Sequence, residues 1–350
     1  MLLEKRIKAF KKLSKYLVNL ISDEDNSEFK SGNKIYDAIE LSSLNNKWFS
    51  VENIKFALLS IGNSMKSENF QLWLKKYKDS LEGKDKGKKV GVIMAGNIPL
   101  VGFNDFFYVL MSGNKVLAKL SSDDKFLLPA IVDKLIEIEP EFKEYIFFVD
   151  NLKSGFDAVI ATGSNNSSRY FEYYFKNVPY IIRKNRNSIA VLTGKETSKE
   201  LVDLGKDIFM YYGLGCRNVS KIFLPENYFL ERLVHSISEY KYVLDSNKYC
   251  NNYNYHKSIF MINQLPFFDS GFAIYKEDEA LASPVSVIHY ECYKSIDQIK
   301  SYLKTNSENI QCVVSNIKNI PEAIPFGQAQ SPGLSDYADN IDVMEFLINI

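Results

Sequence analysis

The chain has 350 residues, of which 25% are charged, and this is too long for one ordinary hydrophobic core; about 100–200 residues per domain predicts two domains. Lys plus Arg and Asp plus Glu both number 43, so the balanced charge argues against a nonspecific nucleic-acid binder. No uncharged apolar run approaches the roughly 18 residues of a membrane span, and lysines replace a signal peptide's apolar segment, so we expect a cytoplasmic protein with no membrane span.

The N-terminal part of the chain predicts helices. Met1 to Asp23 has apolar residues at spacings of three and four, which is typical of an amphipathic helix. Its polar face is rich in lysine, so a membrane-surface helix is an alternative to packing on the body of the protein. A second helical region is predicted over Val51–Leu81, and the Gly- and Lys-rich stretch Glu82–Lys89 predicts a solvated connection.

From Val90 onward, short apolar runs alternate with longer amphipathic ones. The predicted strands are Val90–Ala95, Lys115–Leu120, Tyr145–Val149, Asp157–Ala161, Tyr180–Ile182 and Ile189–Leu192, and the predicted helices are Leu100–Met111, Lys125–Ile138 and Asn166–Phe175. This alternation indicates βαβ units around a parallel sheet. Ligands of such sheets bind beyond the carboxyl ends of the strands, so the loops after Ala95, Leu120 and Ala161 are the candidates.

A nucleotide site is predicted only weakly by these loops. No Gly-x-Gly-x-x-Gly motif follows a predicted strand, so the ordinary dinucleotide fingerprint is absent. Thr162-Gly163-Ser164 opens a predicted helix, and the backbone N–H groups at a helix N-terminus suit a phosphate. Plain strand-to-helix turns have the same pattern, so both interpretations stay open.

The stretch Tyr211–Leu224 joins a helix-like segment to a strand-like one. Gly213 and Gly215 precede Cys216, so the backbone there can turn sharply. Only a thiolate attacks a carbonyl carbon, and a bend with Arg217 beside the cysteine offers the partial exposure and positive potential that favour thiolate. The alternative is a small apolar residue in a buried turn.

The other cysteines carry no comparable pattern. Cys250, Cys292 and Cys312 lie far apart without a Cys-x-x-Cys pair, so neither a disulfide framework nor a metal site is predicted. Cys292 and Cys312 lie in strand-like runs and are predicted to be packing residues.

Five short motifs follow one another along the chain. They are Ala-Gly-Asn-Ile-Pro-Leu (Ala95–Leu100), Ala-Thr-Gly-Ser (Ala161–Ser164), Gly-Leu-Gly-Cys (Gly213–Cys216), Ser-Pro-Val (Ser283–Val285) and Asp-Tyr-Ala-Asp (Asp336–Asp339). In this order they resemble the aldehyde dehydrogenase superfamily, and more specifically the LuxC-type fatty-acid reductases, the acyl-CoA reductases of bacterial luminescence. The resemblance covers roughly Val90 to the C-terminus.

The resemblance implies an α/β, aldehyde-dehydrogenase-like fold with two Rossmann-like parallel-sheet domains and a helical N-terminal region. The expected domains are a cofactor-binding domain at 1–192, including the helical region 1–81, a catalytic domain at 193–325 that carries the cysteine, and a returning C-terminal segment at 326–350. The last ten residues, Ile341 to Ile350, are apolar, and terminal strands in the superfamily extend a neighbour's sheet. The expected assembly is therefore a homodimer or homotetramer.

The resemblance also implies roles for single residues. Cys216 would attack the acyl carbon, and Asn97 would donate a hydrogen bond to the oxyanion together with the backbone N–H of Cys216. One oxyanion donor is worth about 2.7–4 kcal/mol in well-studied hydrolases. Lys119 matches a lysine that contacts the adenosine ribose. The alternatives are a turn residue for Asn97 and a lysine reaching to solvent for Lys119.

Two departures from the superfamily pattern bear on the reaction. Where hydrolytic members have a water-activating glutamate, this chain has Ile182–Asn187, so it would retain a thioester rather than hydrolyse it. The motif that holds the nicotinamide ribose corresponds to Glu279–Pro284, and its glutamate falls on Ala280. The cluster Arg183–Arg186 is either a site for CoA or cofactor phosphates or a solvated loop.

The expected cofactor is NADPH. Many NAD-preferring relatives have a glutamate three residues beyond the ribose lysine, and this position is Ser122 here. Lys119 and the hydroxyls of Ser121 and Ser122 could donate to a 2′-phosphate without repulsion from a carboxylate. Asp123 and Asp124 follow directly, and a shift of one residue in the loop reverses the argument.

The function implied is NADPH-dependent reduction of a fatty acyl thioester to the aldehyde through an acyl-enzyme on Cys216. The substrate would be an acyl-CoA or acyl-carrier thioester, with an acyl-activating partner protein left open. One alternative is a CoA-acylating aldehyde dehydrogenase that runs in the oxidative direction. Another is a cysteine acyltransferase or hydrolase that pairs Cys216 with His235, His256 or His289.

Overall fold

The computed structural model describes residues 1–22, 32–82 and 87–350, and it divides into two compact units. The first unit comprises Met1–Asn185 and Pro332–Ile350, and the second comprises Arg186–Ser331. Each unit is built around a largely parallel sheet. The predicted α/β class with two parallel sheets is therefore confirmed.

The first unit contains five strands and nine α-helices among its described residues. The strands are β1 (Lys89–Ile93), β2 (Lys115–Lys119), β3 (Ile146–Phe148), β4 (Ala158–Thr162) and β5 (Tyr180–Arg183). The helices are α1 (Leu3–Ser22), α2 (Lys34–Asn45), α3 (Val51–Ser64), α4 (Ser67–Lys75), α5 (Lys78–Leu81), α6 (Phe103–Met111), α7 (Leu127–Ile138), α8 (Asn165–Phe175) and α13 (Val343–Asn349). The strands pair in parallel in the order β3-β2-β1-β4-β5.

Helix α1 packs on the body of the first unit. Its apolar stripe is buried in the core, with Phe10, Leu13 and Leu17 fully covered. Arg6 on the same helix is buried and donates a hydrogen bond of 2.6 Å to the carbonyl of Met111, one of the unpaired carbonyls at the end of α6. The structure therefore favours core packing for this helix over a membrane-surface role.

The N-terminal helices differ from the prediction in detail. The predicted region Val51–Leu81 is confirmed as helical but is broken into α3, α4 and α5, and α2 was not predicted. The connection predicted at Glu82–Lys89 lies partly outside the described residues. Among the residues that the structure does describe, no helix is long and apolar enough to cross a membrane.

The second unit is organised around a six-stranded sheet. Its strands are β6 (Asn187–Val191), β7 (Val219–Pro225), β8 (Phe268–Asp269), β9 (Ile274–Glu277), β10 (Val287–Tyr293) and β11 (Ile310–Val314), and its α-helices are α9 (Ser198–Phe209), α10 (Leu230–Ser236), α11 (Asn247–Ile262) and α12 (Ile296–Thr305). The order is β11-β6-β7-β10-β9-β8, with only β8 antiparallel to its neighbour. Strand β6 lies within the predicted 1–192 domain but pairs in this second sheet.

The C-terminal segment forms a helix, so the predicted terminal strand is wrong. Asp342 caps α13 by accepting the N–H of Glu345 at 2.9 Å, and Val343, Met344 and Leu347 are buried in the first unit's core. An apolar stretch requires burial in either conformation, but an Asp followed three residues later by Glu is a helix-start signal. The homodimer or homotetramer stays a prediction without support from that strand.

Truncation of the buried leucine in α13 tests this packing. Leu347→Ala should lower the free energy of unfolding of the first unit by about 2–5 kcal/mol, because it leaves a cavity in the core. Leu44→Ala removes the same atoms from a side chain that is 69% exposed. It should change the free energy of unfolding by less than about 0.5 kcal/mol. Both tryptophans, Trp48 and Trp73, lie in the first unit, so their fluorescence in urea follows its unfolding. Equal midpoints for the two variants would contradict the packing.

Candidate active site

The predicted cofactor and oxyanion residues lie in loops at one edge of the first sheet. Asn97 follows β1, the residues Lys119, Ser121 and Ser122 end or follow β2, and Thr162, Gly163 and Ser164 end or follow β4. Because β1 lies between β2 and β4 and all three are parallel, their carboxyl ends are adjacent. The chain continues to β2 on one side of β1 and to β4 on the other, which makes this edge the topological switch point of the sheet.

The loop that carries Asn97 contacts the loop after β2. Gly96 lies so close to Ser121 that a Cβ at position 96 would be 2.4 Å from the Ser121 Oγ, so only glycine fits. Asn97 is exposed at the tip of the loop. Leu100 has a left-handed backbone with φ of 57°, and its N–H donates to the Asp124 Oδ2 at 2.6 Å. Helix α6 therefore starts at Phe103 rather than at the predicted Leu100.

In the loop after β2, the two serines differ in exposure. Ser122 is exposed, whereas Ser121 and Lys119 are half-buried. Of the two carboxylates that follow, Asp123 is exposed and Asp124 is buried. The Asp124 carboxylate therefore contacts the loop that carries Asn97, through the hydrogen bond from Leu100.

The turn between β4 and α8 has an evident structural role. Ser164 caps the helix, since its Oγ accepts the N–H of Ser167 at 3.2 Å. A Cβ on Gly163 would lie 2.9 Å from both Phe171 and Ser167, so this glycine allows close packing of the turn on the helix. A phosphate role for Thr162, Gly163 and Ser164 stays a prediction.

Cys216 lies in the second unit, on a turn between α9 and β7. The three residues Tyr211, Tyr212 and Gly213 have φ values of 54°, 58° and 78°. Such a conformation costs a non-glycine residue about 1–3 kcal/mol and persists only where its surroundings hold it. Cys216 itself is exposed, so the interpretation as a buried turn residue is wrong.

Asn218 holds this turn from within. Its side-chain Nδ2 donates to the carbonyls of Asp207, Ile208 and Met210 at 3.1, 3.2 and 2.8 Å, and its Oδ1 accepts the N–H of Gly215 at 2.8 Å. One buried amide thus satisfies the carbonyls at the end of α9 and fixes the residue before the cysteine. The sequence analysis missed Asn218, although a short amide two residues beyond the cysteine was the available signal.

Two further side chains, Ser188 and Arg217, form hydrogen bonds around the thiol. The Ser188 Oγ on β6 donates to the carbonyl of Cys216 at 2.9 Å and accepts the N–H of Cys312 at 3.2 Å. The Arg217 Nε donates to the carbonyl of Ala329 at 2.6 Å. The backbone of the turn is therefore tied to β6, β11 and the segment that ends the second unit.

That last segment depends on a buried carboxylate. Asp207 accepts the N–H groups of Gly327 and Ala329 at 2.6 and 3.0 Å. Burial raises the pKa of Asp207 to about 7, against the opposing effect of these two donors. The Asp207 side chain thus connects the end of α9 to the segment Gly327–Ala329, which Arg217 also contacts.

The segment that corresponds to the nicotinamide-ribose motif is held by its carbonyls. Lys221 is fully buried, and its Nζ donates to the carbonyls of Asp278 and Glu279 at 3.0 and 2.7 Å and to the Glu291 carboxylate at 2.7 Å. The neighbouring carbonyls of Ala280 and Leu281 lie 3.0 Å from the His289 Nδ1 and 2.8 Å from the Ser220 Oγ. A lysine in an apolar strand was the signal that sequence reasoning missed.

The other cysteines and the histidines have different surroundings. Cys312 is buried, as predicted. Cys292 is exposed, so its prediction as a packing residue is wrong: β9 ends opposite Tyr290, and the last residues of β10 extend beyond it. His289 is buried beside Ala280, and His256 packs against aromatic rings, where burial lowers its pKa.

The basic cluster after Ile182 does not act as one unit. Arg183 is buried and forms a two-pronged ion pair with Asp105, with Nη2 2.8 Å from Oδ1. Lys184 pairs with Glu172 at 2.9 Å. The pairing of Arg183 excludes it from a solvated loop and satisfies its charge within the first unit.

Comparison with solved structures places this fold in the aldehyde-dehydrogenase-like class. The chain superposes over its full length on aldehyde dehydrogenase 21 from Physcomitrella patens, with 84% of that chain covered, a TM-score of 0.66 and 11% identity. A putative aldehyde dehydrogenase from Burkholderia cenocepacia gives a TM-score of 0.62 at 12% identity, with 90% of this chain and 79% of that one covered. Identities this low establish a common fold alone.

The family is established by sequence. The acyl-CoA reductase (LuxC) family matches residues 47–240, more than half of the chain, and the protein belongs to this family. It is 23% identical over 226 residues to the long-chain acyl-protein thioester reductase 2 of Photobacterium leiognathi, which covers 59% of this chain and 47% of that protein. The chain thus spans about half the length of the curated relative it matches.

The anchoring role of Asn218 can be measured directly. Asn218→Ala should lower the free energy of unfolding by about 1–3 kcal/mol, because three carbonyls and one N–H lose their partner. Hydrogen–deuterium exchange over 210–216 should become faster, most of all at the Gly215 amide. Asn251→Ala removes an exposed asparagine of the same unit and should leave this exchange unchanged. Unchanged exchange in Asn218→Ala would show that the turn is held by other contacts.

Proposed function

We propose that the protein reduces a fatty acyl thioester, either acyl-CoA or an acyl-carrier thioester, to the aldehyde with NADPH through an acyl-enzyme on Cys216. The observation that carries the proposal is an exposed thiol on a backbone turn that its neighbours hold rigidly, in a member of the acyl-CoA reductase family. An exposed, oriented thiol is the arrangement that nucleophilic catalysis by cysteine requires.

In the first half-reaction, the Cys216 thiolate attacks the thioester carbon and the carbonyl electron pair moves onto oxygen. The side-chain amide of Asn97 and the backbone N–H of Cys216 donate to this oxyanion. The carbon–sulfur bond to the donor then breaks, and the departing thiolate takes up a proton. Ser188 and Asn218 hold the backbone of Cys216 and Gly215, so the turn does not have to reorganise during attack.

In the second half-reaction the acyl carbon is reduced. NADPH, when bound, supplies the hydride. The same donors stabilise the oxyanion of the resulting thiohemiacetal, whose carbon–sulfur bond breaks to release the aldehyde and to return the electron pair to Cys216. The residues at the switch point of the first sheet fit a dinucleotide, because Gly96 allows two of the loops to lie close together and the Ser122 hydroxyl is exposed.

The residues at the end of β5 and directly after it favour reduction over hydrolysis. The stretch that corresponds to the water-activating glutamate motif is Ile182–Asn187, which contains no carboxylate to take a proton from water and which begins with Ile182. The next residue, Arg183, is neutralised by Asp105, so that carboxylate is engaged as well. The acyl-enzyme would therefore persist until it is reduced or returned to a thiol.

The two alternatives differ in their support. The CoA-acylating oxidative direction uses the same steps in reverse, so cellular concentrations decide between the directions. A cysteine hydrolase or acyltransferase needs a histidine as base. His289 lies beside the carbonyl of Ala280 and His256 packs on Tyr255 and Phe260, so neither of these two histidines supports that alternative.

NADPH rather than NADH is supported by the loop after β2. Ser122, at the position of the NAD-selective glutamate, is exposed and neutral at this sheet edge. The Asp124 carboxylate is buried and engaged by Leu100, which leaves Asp123 as the exposed carboxylate of the pair. A 2′-phosphate near Ser122 would meet hydroxyl donors and the Lys119 ammonium.

Covalent labelling tests the nucleophile. Labelled acyl-CoA should mark the wild type and Cys292→Ala but not Cys216→Ala, which should also lose aldehyde formation and NADPH consumption. Cys292 is the matched control because it too is an exposed thiol in the second unit. Equal labelling of Cys216→Ala would remove it as the nucleophile, and thiol release without NADPH consumption would favour the transferase or hydrolase.

The cofactor preference is tested by adding a carboxylate to the loop. Ser122→Glu should raise the Michaelis constant for NADPH at least tenfold more than that for NADH, because a repulsion of about 1.4 kcal/mol corresponds to a factor of about ten. Ser301→Glu adds the same charge to an exposed position of α12 and should leave the ratio of the two constants unchanged. If the ratio is also unchanged in Ser122→Glu, Ser122 does not face the ribose.

A further inference from the structure

Asp124 is a buried carboxylate that joins the two loops at the switch point. It is 8% exposed, and its Oδ2 accepts the N–H of Leu100 at 2.6 Å. Its Oδ1 is also buried but has no hydrogen-bond partner among the described residues. The function proposed above assigns no role to this side chain.

The bond from Leu100 holds a strained residue. Leu100 is three residues beyond Asn97, and its φ of 57° lies in the left-handed region, which residues other than glycine rarely adopt. Its carbonyl accepts the N–H of Phe103 at 2.9 Å, so it also forms the turn into α6. Release of its N–H would remove a constraint that keeps this backbone in its costly conformation.

A carboxylate is an expensive choice for this contact. The cavity beside Asp124 measures about 10 Å³, and the other residues that line it, from α6, α7 and the loops after β1 and β2, are Met94, Ala95, Leu100, Gly102, Phe103, Leu120 and Leu128. All of these are apolar or glycine, so no charged or titratable group of these elements faces the carboxylate across the cavity. Burial raises the pKa of Asp124 to about 6, and the Leu100 N–H opposes this effect.

We propose that the Asp124 carboxylate is a positioning residue for acyl transfer: through Leu100 it fixes the loop that presents Asn97 to the oxyanion. The proposal rests on the proposed function. An ionised acceptor forms a hydrogen bond about twice as strong as a neutral one, which gives a reason for a carboxylate rather than an amide or hydroxyl at this position.

The cofactor loop has contacts of its own that do not use this carboxylate. The backbone N–H of Asp124 donates to the carbonyl of Ser121 at 3.2 Å, and the N–H of Asp123 donates to the Ser121 Oγ at 3.3 Å. Substitution of the Asp124 side chain therefore releases the Asn97 loop while the turn at Ser121 and Ser122 is retained. Acylation and cofactor binding should respond differently.

The direction of the pH dependence follows from the ionised form being the stronger acceptor. Above about pH 6 the carboxylate is charged and holds Leu100 firmly, and below it the protonated group holds Leu100 more weakly. The acylation rate should fall on acidification. Because the folded pKa lies above the unfolded value of about 3.9, the first unit should lose stability as the pH rises from about 4 to about 6.

Two isosteric variants separate these effects. Asp124→Asn keeps an acceptor for Leu100 without charge, and Asp124→Leu removes the acceptor. In single-turnover labelling with acyl-CoA at about pH 8, Asp124→Asn should be about fivefold slower than wild type and Asp124→Leu at least about tenfold slower. At about pH 5 wild type and Asp124→Asn should become equal, since both acceptors are then neutral. The ratio of their rates cancels the ionisation of Cys216 itself.

Three readouts distinguish this role from a general loss of structure. The dissociation constant for NADPH, measured by its fluorescence, should be unchanged in both variants. Urea unfolding followed by tryptophan fluorescence should show the fall in stability between about pH 4 and about pH 6 in wild type but not in Asp124→Asn. Faster exchange of the Leu100 amide should accompany slower acylation in Asp124→Leu.

The outcomes also separate this proposal from the proposed function. If wild type is labelled at Cys216 and both Asp124 variants are labelled at the wild-type rate, the positioning role is wrong and the proposed function stands. If the wild type is not labelled at all, the proposed function fails, and the Leu100 exchange still tests the contact. Parallel losses of acylation and NADPH binding would show disruption of the whole edge rather than positioning of Asn97.

Discussion

A thiol that acts as a nucleophile, as we propose for Cys216, has to be exposed while the backbone that carries it stays rigid, and the turn between α9 and β7 meets both requirements. Tyr211 and Tyr212 adopt the left-handed conformation in the turn that carries the exposed Cys216. The four hydrogen bonds of Asn218 hold the same turn and satisfy the carbonyls that the end of α9 leaves open. Strain and exposure are thus offset by a single buried amide.

The first unit meets a different requirement, since it has to bring several loops to one place. A parallel sheet does this without any special residue, because the carboxyl ends of adjacent strands lie side by side. What needs special residues is the close approach of the loops, which Gly96 allows against Ser121. The bond from Leu100 to Asp124 then makes the two loops one structure. Positions of loops are therefore a property of topology, and their stiffness is a property of single side chains.

Features encoded locally were accessible from the sequence. The alternation of short apolar runs and amphipathic stretches predicted the first sheet and its loops, and the two glycines before Cys216 predicted an exposed bend. The bond from Ser188 to the Cys216 carbonyl was not accessible, because the two residues are separated by 28 positions and meet only through the pairing of β6 with β7. The C-terminal segment shows a further limit: apolar content predicted burial at Leu347, but only the Asp342 cap distinguished a helix from a strand.

The stretch Ile182–Asn187, which begins at the end of β5, connects the fold to the proposed reaction. A water-activating glutamate has to stay partly solvated and poised to accept a proton. In this chain the corresponding stretch contains Ile182 and Arg183, and Arg183 forms a buried ion pair with Asp105. Removal of either charge from a buried pair of this kind is strongly destabilising. The Asp105 carboxylate, which belongs to the same unit, is therefore engaged by Arg183. In the function that we propose, the absence of a carboxylate from Ile182–Asn187 favours a thioester that lasts long enough to be reduced.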